Sequence, residues 1–194
     1  MTVSEWPVEL VGVTESVVTT LGPNDRWNVA ALGLFAGEPV TARTWGRTRT
    51  RRNFEAEGGG YVQFVRDPVD FVDAACSIRE EETPILENAD AWVNVDSEAI
   101  DRGIKNGTEW VEWKLVPTDS VIECETVPTT NRGYYAVIEA TGAASRLDVE
   151  GYDTGRLLDR IEYFEGVIER CGGPRERAAF DRFREYVDLE SKTE

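Results

Sequence analysis

The chain of 194 residues contains no histidine, only three lysines and only three cysteines. The missing imidazole excludes catalysis by histidine and every metal site that needs a histidine ligand. The cysteines, Cys76, Cys124 and Cys171, are far apart and show no CxxC spacing. We therefore expect reduced thiols, with neither a disulfide framework nor a metal site.

Long apolar runs are also missing. No stretch approaches the ~18 apolar residues that a membrane helix needs, and residues 1–6 lack the basic and apolar regions of a signal peptide. We expect a cytoplasmic protein with no membrane partner.

Positive charge is scarce, because 37 Asp and Glu oppose 21 Lys and Arg, for a formal net charge of −16. Of the basic residues, 18 are arginine. This acid-rich, lysine-poor composition is typical of halophilic archaea, where molar salt screens the self-repulsion. The alternative is an ordinary acidic cytosolic protein. In either case a nucleic-acid partner is disfavoured, since binding to phosphate backbones needs positive faces.

From residue 9 to about residue 145 the pattern is mainly that of β-strands. Strands are predicted at residues 9–20, 27–35, 40–45, 61–65, 110–116, 121–127 and 134–140. A short helix is predicted from Asp67-Pro68 to residue 75, with proline in its first turn. Residues 80–108 are weakly patterned outside 91–95, which indicates an excursion from the sheet.

The periodicity then becomes helical. Apolar residues from Leu157 to Cys171 recur at helical spacing, with Asp153 or Thr154 as the cap, and Pro174 opens a second helix after two glycines. The sequence thus predicts an α+β protein: an antiparallel Greek-key split β-barrel over residues 1–150, followed by a C-terminal helical hairpin over residues 151–194. The hairpin is expected to pack on the barrel or on another subunit.

Residues 43–52 contain five arginines and no acid, whereas the other residues together carry −21. If the strand extends this far, Arg47, Arg49 and Arg51 project to one side of it. Guanidinium groups and threonine hydroxyls bind a phosphate monoester well. The alternative is that these arginines pair with surplus carboxylates. RNA is disfavoured, because nearby glutamates such as Glu55 would repel a polyanion.

Three segments, in this order, resemble the flavin-binding split barrels: residues 28–33, residues 46–53 and Arg66-Asp67-Pro68. The similarity is greatest to an archaeal family of FMN-binding proteins, the domain of unknown function 447 family. Its pattern is Asn-x-Ala-Pro-x-Gly, then Gly-Ser-x-Thr-x-x-Asn, then a strand and Asp-Pro. The resemblance covers most of the chain, including residues 139–147 and the predicted C-terminal hairpin. Ala31 replaces a frequent proline and Thr48 a frequent serine.

The resemblance implies an FMN cofactor whose ring lies along the second strand, mainly against backbone groups. It assigns the ring to Asn28, Val29, Ala30, Ala31, Leu32 and Gly33, and the phosphate and ribityl chain to Arg43, Arg47, Thr48, Thr50 and Asn53. Split barrels of this kind are generally homodimers with flavin between the subunits, so Trp92, Trp110 or Arg146 of a second copy would complete the site.

Structural roles stay open for several of these residues. Asn28 is equally typical of a strand edge, and Asn53 of a helix cap or turn. Trp45, Trp110 and Trp113 are as typical of a core or an interface as of a flavin site. Glu139 and Asp148 are available as acid or base, although surface carboxylates in so acidic a chain are mostly solvated. No catalytic residue is assigned.

A bound flavin would supply its own redox chemistry, so the missing histidine is no obstacle. The resemblance implies an FMN-dependent oxidoreductase, similar to flavin reductases, that acts on a nicotinamide or another small molecule. Two alternatives are a non-enzymatic flavin carrier or sensor, and a binder of a phosphorylated metabolite in pterin-cofactor metabolism. A deazaflavin in place of FMN also stays open.

Overall fold

The computed structural model describes residues 5–189, which divide into two compact units. The barrel unit comprises the chain up to Arg66 together with Ile78–Thr126. The helical unit comprises Asp67–Ser77 and the residues from Val127 onward. Residues 127–150 thus belong with the helices, whereas the sequence pattern predicted that the barrel domain would extend to residue 150.

The barrel unit is built from seven antiparallel strands. These are β1 (Val13–Leu21), β2 (Trp27–Phe35), β3 (Thr41–Trp45), β4 (Gly59–Val65), β5 (Arg79–Glu81), β6 (Ala89–Lys105) and β7 (Thr108–Ile122). They are ordered β1-β4-β6-β7-β3-β2, and the sheet closes because β2 pairs with β1 along its whole length. The short strand β5 is added to the edge of β2 at Trp27–Val29.

Inward-facing residues of the strands form the barrel core. In β7, for example, Val111, Trp113 and Leu115 are buried while the residues between them are partly exposed, as the alternating pattern predicts. Helix α1 (Arg49–Glu57) adds Phe54, which is 2% exposed and meets the Trp113 ring edge-on at 5.2 Å between centroids. This contact anchors α1 to the barrel.

The predicted excursion over residues 80–108 is wrong for residues 89–105, which form β6. The prediction of separate strands at 110–116 and 121–127 is also wrong, because β7 runs without interruption from Thr108 and ends at Ile122. Strands β6 and β7 pair along nearly their full lengths. Beyond Asp96 all residues of β6 are exposed or half-buried, so no apolar alternation marks this part of the strand. The register skips Thr118 between Pro117 and Asp119, and this bulge accommodates the proline within β7.

Four helices form the second unit: α2 (Pro68–Cys76), α3 (Arg132–Ala144), α4 (Thr154–Cys171) and α5 (Pro174–Tyr186). The predictions for α2, α4 and α5 are confirmed, with Asp67 and Asp153 as side-chain caps. The predicted strand at residues 134–140 is wrong, because these residues belong to α3. Ala136, Val137 and Ala140 are buried there at helical spacing.

Glycines allow a close helix contact in this unit. A Cβ on Gly133, at the start of α3, would lie 2.5 Å from the Cα of Gly172, at the end of α4. No helix within residues 5–189 is both long and apolar enough to cross a bilayer.

Candidate functional site

The arginine-rich segment does not continue strand β3. The chain turns at Gly46, whose φ is +67°, and the Thr48 hydroxyl then accepts a hydrogen bond from the Arg51 backbone N–H at 3.2 Å. Thr48 is therefore the N-cap of α1. The prediction that Arg47, Arg49 and Arg51 share one side of a strand is wrong, because helix capping at Thr48 ends the extended backbone.

The capping role of Thr48 predicts a stability effect. We expect Thr48→Ala to lower the free energy of unfolding by about 1 kcal/mol, the usual loss for a missing N-cap hydroxyl. Thr48→Ser keeps the hydroxyl and is the matched control, which should lose far less. Urea unfolding of the three proteins measures both values, and equal stability of wild type and Thr48→Ala would contradict the capping role.

A cleft of about 430 Å³ follows one face of α1, and we call it the α1 cleft. It is lined by Leu21, Gly22, Pro23, Asn24, Asn28, Arg49, Arg52, Asn53, Ala56, Glu57 and Glu80. The α1 residues among them recur at intervals of three and four, which places them on one side of the helix. The remaining residues come from the end of β1, the β1–β2 turn, the start of β2, and β5.

Two of the lining residues, Asn28 and Asn53, are buried asparagines that donate hydrogen bonds to threonine hydroxyls. Asn28 Nδ2 donates to Thr50 Oγ1 at 3.4 Å, and Asn53 Nδ2 donates to Thr20 Oγ1 at 3.0 Å. Asn28, Thr50 and Asn53 are each less than a tenth exposed. The structure therefore brings together residues from two of the sequence motifs. Asn53 lies within α1 and caps neither a helix nor a turn.

The charged groups of the α1 cleft are two arginines and two glutamates. Arg49 Nη1 lies 2.5 Å from Glu80 Oε1, and Asn24 Nδ2 donates to Glu80 Oε2 at 3.2 Å. The Arg52 side chain is exposed and has no hydrogen bond or ion pair within the described part of the chain. The cleft thus offers one paired and one unpaired guanidinium to an anion.

Arg47 and Arg51 line a different cleft, at the N-terminus of α1. It has a volume of about 570 Å³ and includes Gly46, Gly107, Thr108 and Glu109. Arg51 Nη1 lies 3.1 Å from Glu109 Oε2, and Arg51 Nε lies 3.3 Å from Glu55 Oε1. The hydrogen bond to Glu109 raises the pKa of Arg51. Arg51 is thereby committed to carboxylates of its own unit.

Arg43 lies on the outer face of β3 beside three aromatic rings. Its guanidinium stands 4.3 Å from the centre of the Trp110 ring and pairs with Glu112 at 3.2 Å. Phe35 and Trp45 lie about 6 Å from it. Trp110 is therefore a stacking partner of Arg43, while Trp113 is a core residue, as one alternative from the sequence had it.

The remaining residues of the predicted ring site lie on β2. Val29 and Leu32 are buried, whereas Ala30, Ala31 and Gly33 are half-buried. A ligand at this strand would meet backbone atoms and small side chains. Of the residues predicted for a second copy, Trp92 donates from Nε1 to Glu123 Oε1 at 2.9 Å, and Arg146 follows α3 in the helical unit.

The site residues predicted from the sequence did not include Arg49, Arg52 or Glu80. Arg49 and Arg52 are three residues apart and share a helix face, so interpreting residues 49–57 as a helix would have paired them. Glu80 has no local signal, because only the pairing of β5 with β2 brings it to the cleft.

All three cysteines are free thiols, and Cys124 is exposed. Burial, with Asp73 nearby, raises the pKa of Cys76 to about 12, so this thiol stays protonated at neutral pH. Within residues 5–189, no group of three or more Cys, Asp and Glu side chains is placed to hold a metal ion.

Residues 14–124 match the family model described as "Protein of unknown function (DUF447) N-terminal domain", and residues 131–185 match "Protein of unknown function (DUF447)". Among solved structures, the chain is similar to an FMN-bound DUF447 protein from Methanosarcina mazei. The identity is 26% and the TM-score 0.77, over 92% of this chain and 96% of that chain. This match confirms the predicted split-barrel fold with C-terminal helices.

Two flavin reductases overlap with a smaller part of the chain. One is the styrene monooxygenase flavin reductase from Pseudomonas putida S12, with 12% identity and a TM-score of 0.38 over 57% of this chain and 79% of that one. The other is a flavin reductase complexed with NADP+, with 12% identity and a TM-score of 0.40 over 59% of this chain and 81% of that one.

Proposed function

Since the chain belongs to the DUF447 protein family, we propose that it binds FMN in the α1 cleft. The phosphate lies against Arg49 and Arg52, and the flavin ring follows the backbone of β2 from Asn28. The support from similarity is the FMN-bound family member, which matches 92% of the chain.

The observation that carries this proposal is the convergence of two motifs on one cleft. Asn28 comes from the first motif, and Asn53 from the second; both line the α1 cleft together with the unpaired Arg52. A cleft of about 430 Å³ lies in the usual size range of ligand pockets. The residues present therefore fit a phosphorylated ligand with a polar chain.

The position of the arginines on α1 adds support. Arg49, Arg51 and Arg52 occupy the first turn of the helix, which has no acidic residue. Cations are disfavoured there, because the helix dipole places positive charge at the N-terminus. Arg49 and Arg51 are already paired with carboxylates, so a phosphate group would balance the helix dipole and the charge of Arg52.

When bound, FMN supplies the redox chemistry, since flavins transfer hydride. The side chains of this chain then only bind and orient the flavin, which agrees with the absence of histidine from the sequence. We infer a flavin-dependent oxidoreductase whose electron partner is a nicotinamide or another small molecule.

Titration of the purified protein with FMN tests the proposal. We expect saturable quenching of flavin fluorescence, and binding of riboflavin, which lacks the phosphate, weaker by about tenfold or more. No saturable binding of FMN would contradict the proposed function. Anaerobic mixing of the FMN-loaded protein with NADH or NADPH then tests the electron partner: rapid bleaching of the flavin absorbance indicates a nicotinamide-dependent oxidoreductase, and no bleaching excludes a nicotinamide as the electron partner.

A further inference from the structure

The α1 cleft contains a carboxylate that already binds one of its two arginines. Glu80 Oε1 lies 2.5 Å from Arg49 Nη1, and Glu80 Oε2 accepts a hydrogen bond from Asn24 at 3.2 Å. Both oxygens are thus turned toward cleft residues. The charge-assisted bond to Arg49 is the kind that a ligand phosphate would make.

The backbone holds Glu80 at this place. In the antiparallel pairing of β5 with β2, Glu80 stands directly opposite Asn28, and side chains of directly opposed residues lie on the same face of a sheet. The neighbouring Arg26 Nη2 also donates to the Glu80 carbonyl oxygen at 3.3 Å. The Glu80 backbone is therefore fixed beside the cleft.

This arrangement affects a phosphate in the cleft in two ways. It must share or displace Glu80 at Arg49, and it is repelled by the carboxylate charge. The two glutamates, Glu57 and Glu80, also cancel the formal charge of Arg49 and Arg52. Riboflavin carries no phosphate, so it neither competes with Glu80 for Arg49 nor is repelled by the carboxylate charge.

We propose that Glu80 is an internal competitor of the ligand phosphate, which weakens FMN binding and makes the flavin exchangeable. This inference rests on the proposed function, because it assumes the phosphate in the α1 cleft. Glu80 is a specificity-determining residue in this role: it sets how much affinity the phosphate adds over the flavin ring and ribityl chain alone.

Glu80→Gln removes the charge and keeps the size of the side chain. We expect it to lower the dissociation constant for FMN by about tenfold, through slower dissociation, while riboflavin affinity is unchanged. Glu82→Gln is the matched control: Glu82 pairs with Arg26 at 3.1 Å, its side chain is 83% exposed, and it does not line the cleft. It should leave both affinities unchanged.

Fluorescence titration and stopped-flow displacement measure these values at constant ionic strength. An FMN affinity that stays equal or falls in Glu80→Gln overturns the inference, and so does an equal gain for riboflavin. The double variant Glu80→Gln, Arg49→Ala completes the test. If Glu80 competes with the phosphate for Arg49, then Glu80→Gln should increase FMN affinity much less in the Arg49→Ala background than in the wild type. If the wild-type protein does not bind FMN, the proposed function is contradicted. If the wild type binds FMN but Glu80→Gln does not bind it more tightly, only the proposed role of Glu80 is contradicted.

Discussion

Replacing Arg49 and Arg52 together with alanine should raise the dissociation constant for FMN by about a hundredfold. Each charge-assisted hydrogen bond contributes about 1.5–3 kcal/mol. Both side chains are partly exposed to solvent, so we take the lower end of this range, and about 3 kcal/mol in total corresponds to the stated factor. Fluorescence titration at constant salt measures the effect, and riboflavin affinity should change little.

The control must remove the same charge from another place. Arg47→Ala with Arg102→Ala lowers the net charge equally, and neither side chain lines the α1 cleft. Affinity for FMN should stay within about twofold of wild type, because exposed charges at a distance are screened by salt. If this control loses more affinity than the Arg49/Arg52 pair, the phosphate lies in the cleft at the N-terminus of α1 instead.

The second large effect concerns the anchor of α1. We expect Phe54→Ala to lower the free energy of unfolding by about 3–5 kcal/mol, the range for truncating a buried phenylalanine. Its side chain belongs to the barrel core and packs against Trp113, so the truncation leaves a cavity beneath the helix. Urea unfolding followed by tryptophan fluorescence measures the loss.

Phe35→Ala is the matched control for this experiment. Phe35 is 38% exposed at the end of β2, so its truncation removes less buried surface and should lower the free energy by about 1 kcal/mol. Equal losses for the two variants would show that α1 is not anchored through Phe54.

The sequence predicted the elements whose hydrophobic pattern is local. Strand β2 is observed at residues 27–35 as predicted, because a turn cluster precedes it and a Gly-Glu-Pro connection follows. The helices α4 and α5 were equally evident from apolar spacing and caps. In these elements the local preference and the tertiary contacts agree.

Prediction failed where packing opposes the local preference. Tyr134 and Tyr135 with the β-branched Val137 and Ile138 favour a strand, yet they form α3, because small residues on its buried side allow close packing within the helical unit. Residues 49–57 contain few apolar positions, so the sequence shows neither the periodicity of a helix nor that of a strand. The Thr48 cap favours the helix that is observed.

The candidate site was predictable to a similar extent. The order of the motifs indicated Asn28, Thr50 and Asn53, and the structure brings these three together. Arg52 required the correct secondary structure of its segment. Glu80 depends on strand register between residues about 50 positions apart, which no single sequence displays.

Helix α2 belongs to the helical unit but lies between two strands of the barrel unit in the sequence. The chain leaves the barrel after β4, forms α2 and returns directly into β5, which carries Glu80. Val72 of α2 is fully buried in the helical core, among contacts with α3 and α5. A chain ending at residue 126 would keep α2 but lose every helix that covers its apolar side. The region matched by the N-terminal family model therefore contains a helix whose main packing partners, α3 and α5, belong to the region matched by the second model, so neither region alone contains the whole helical core.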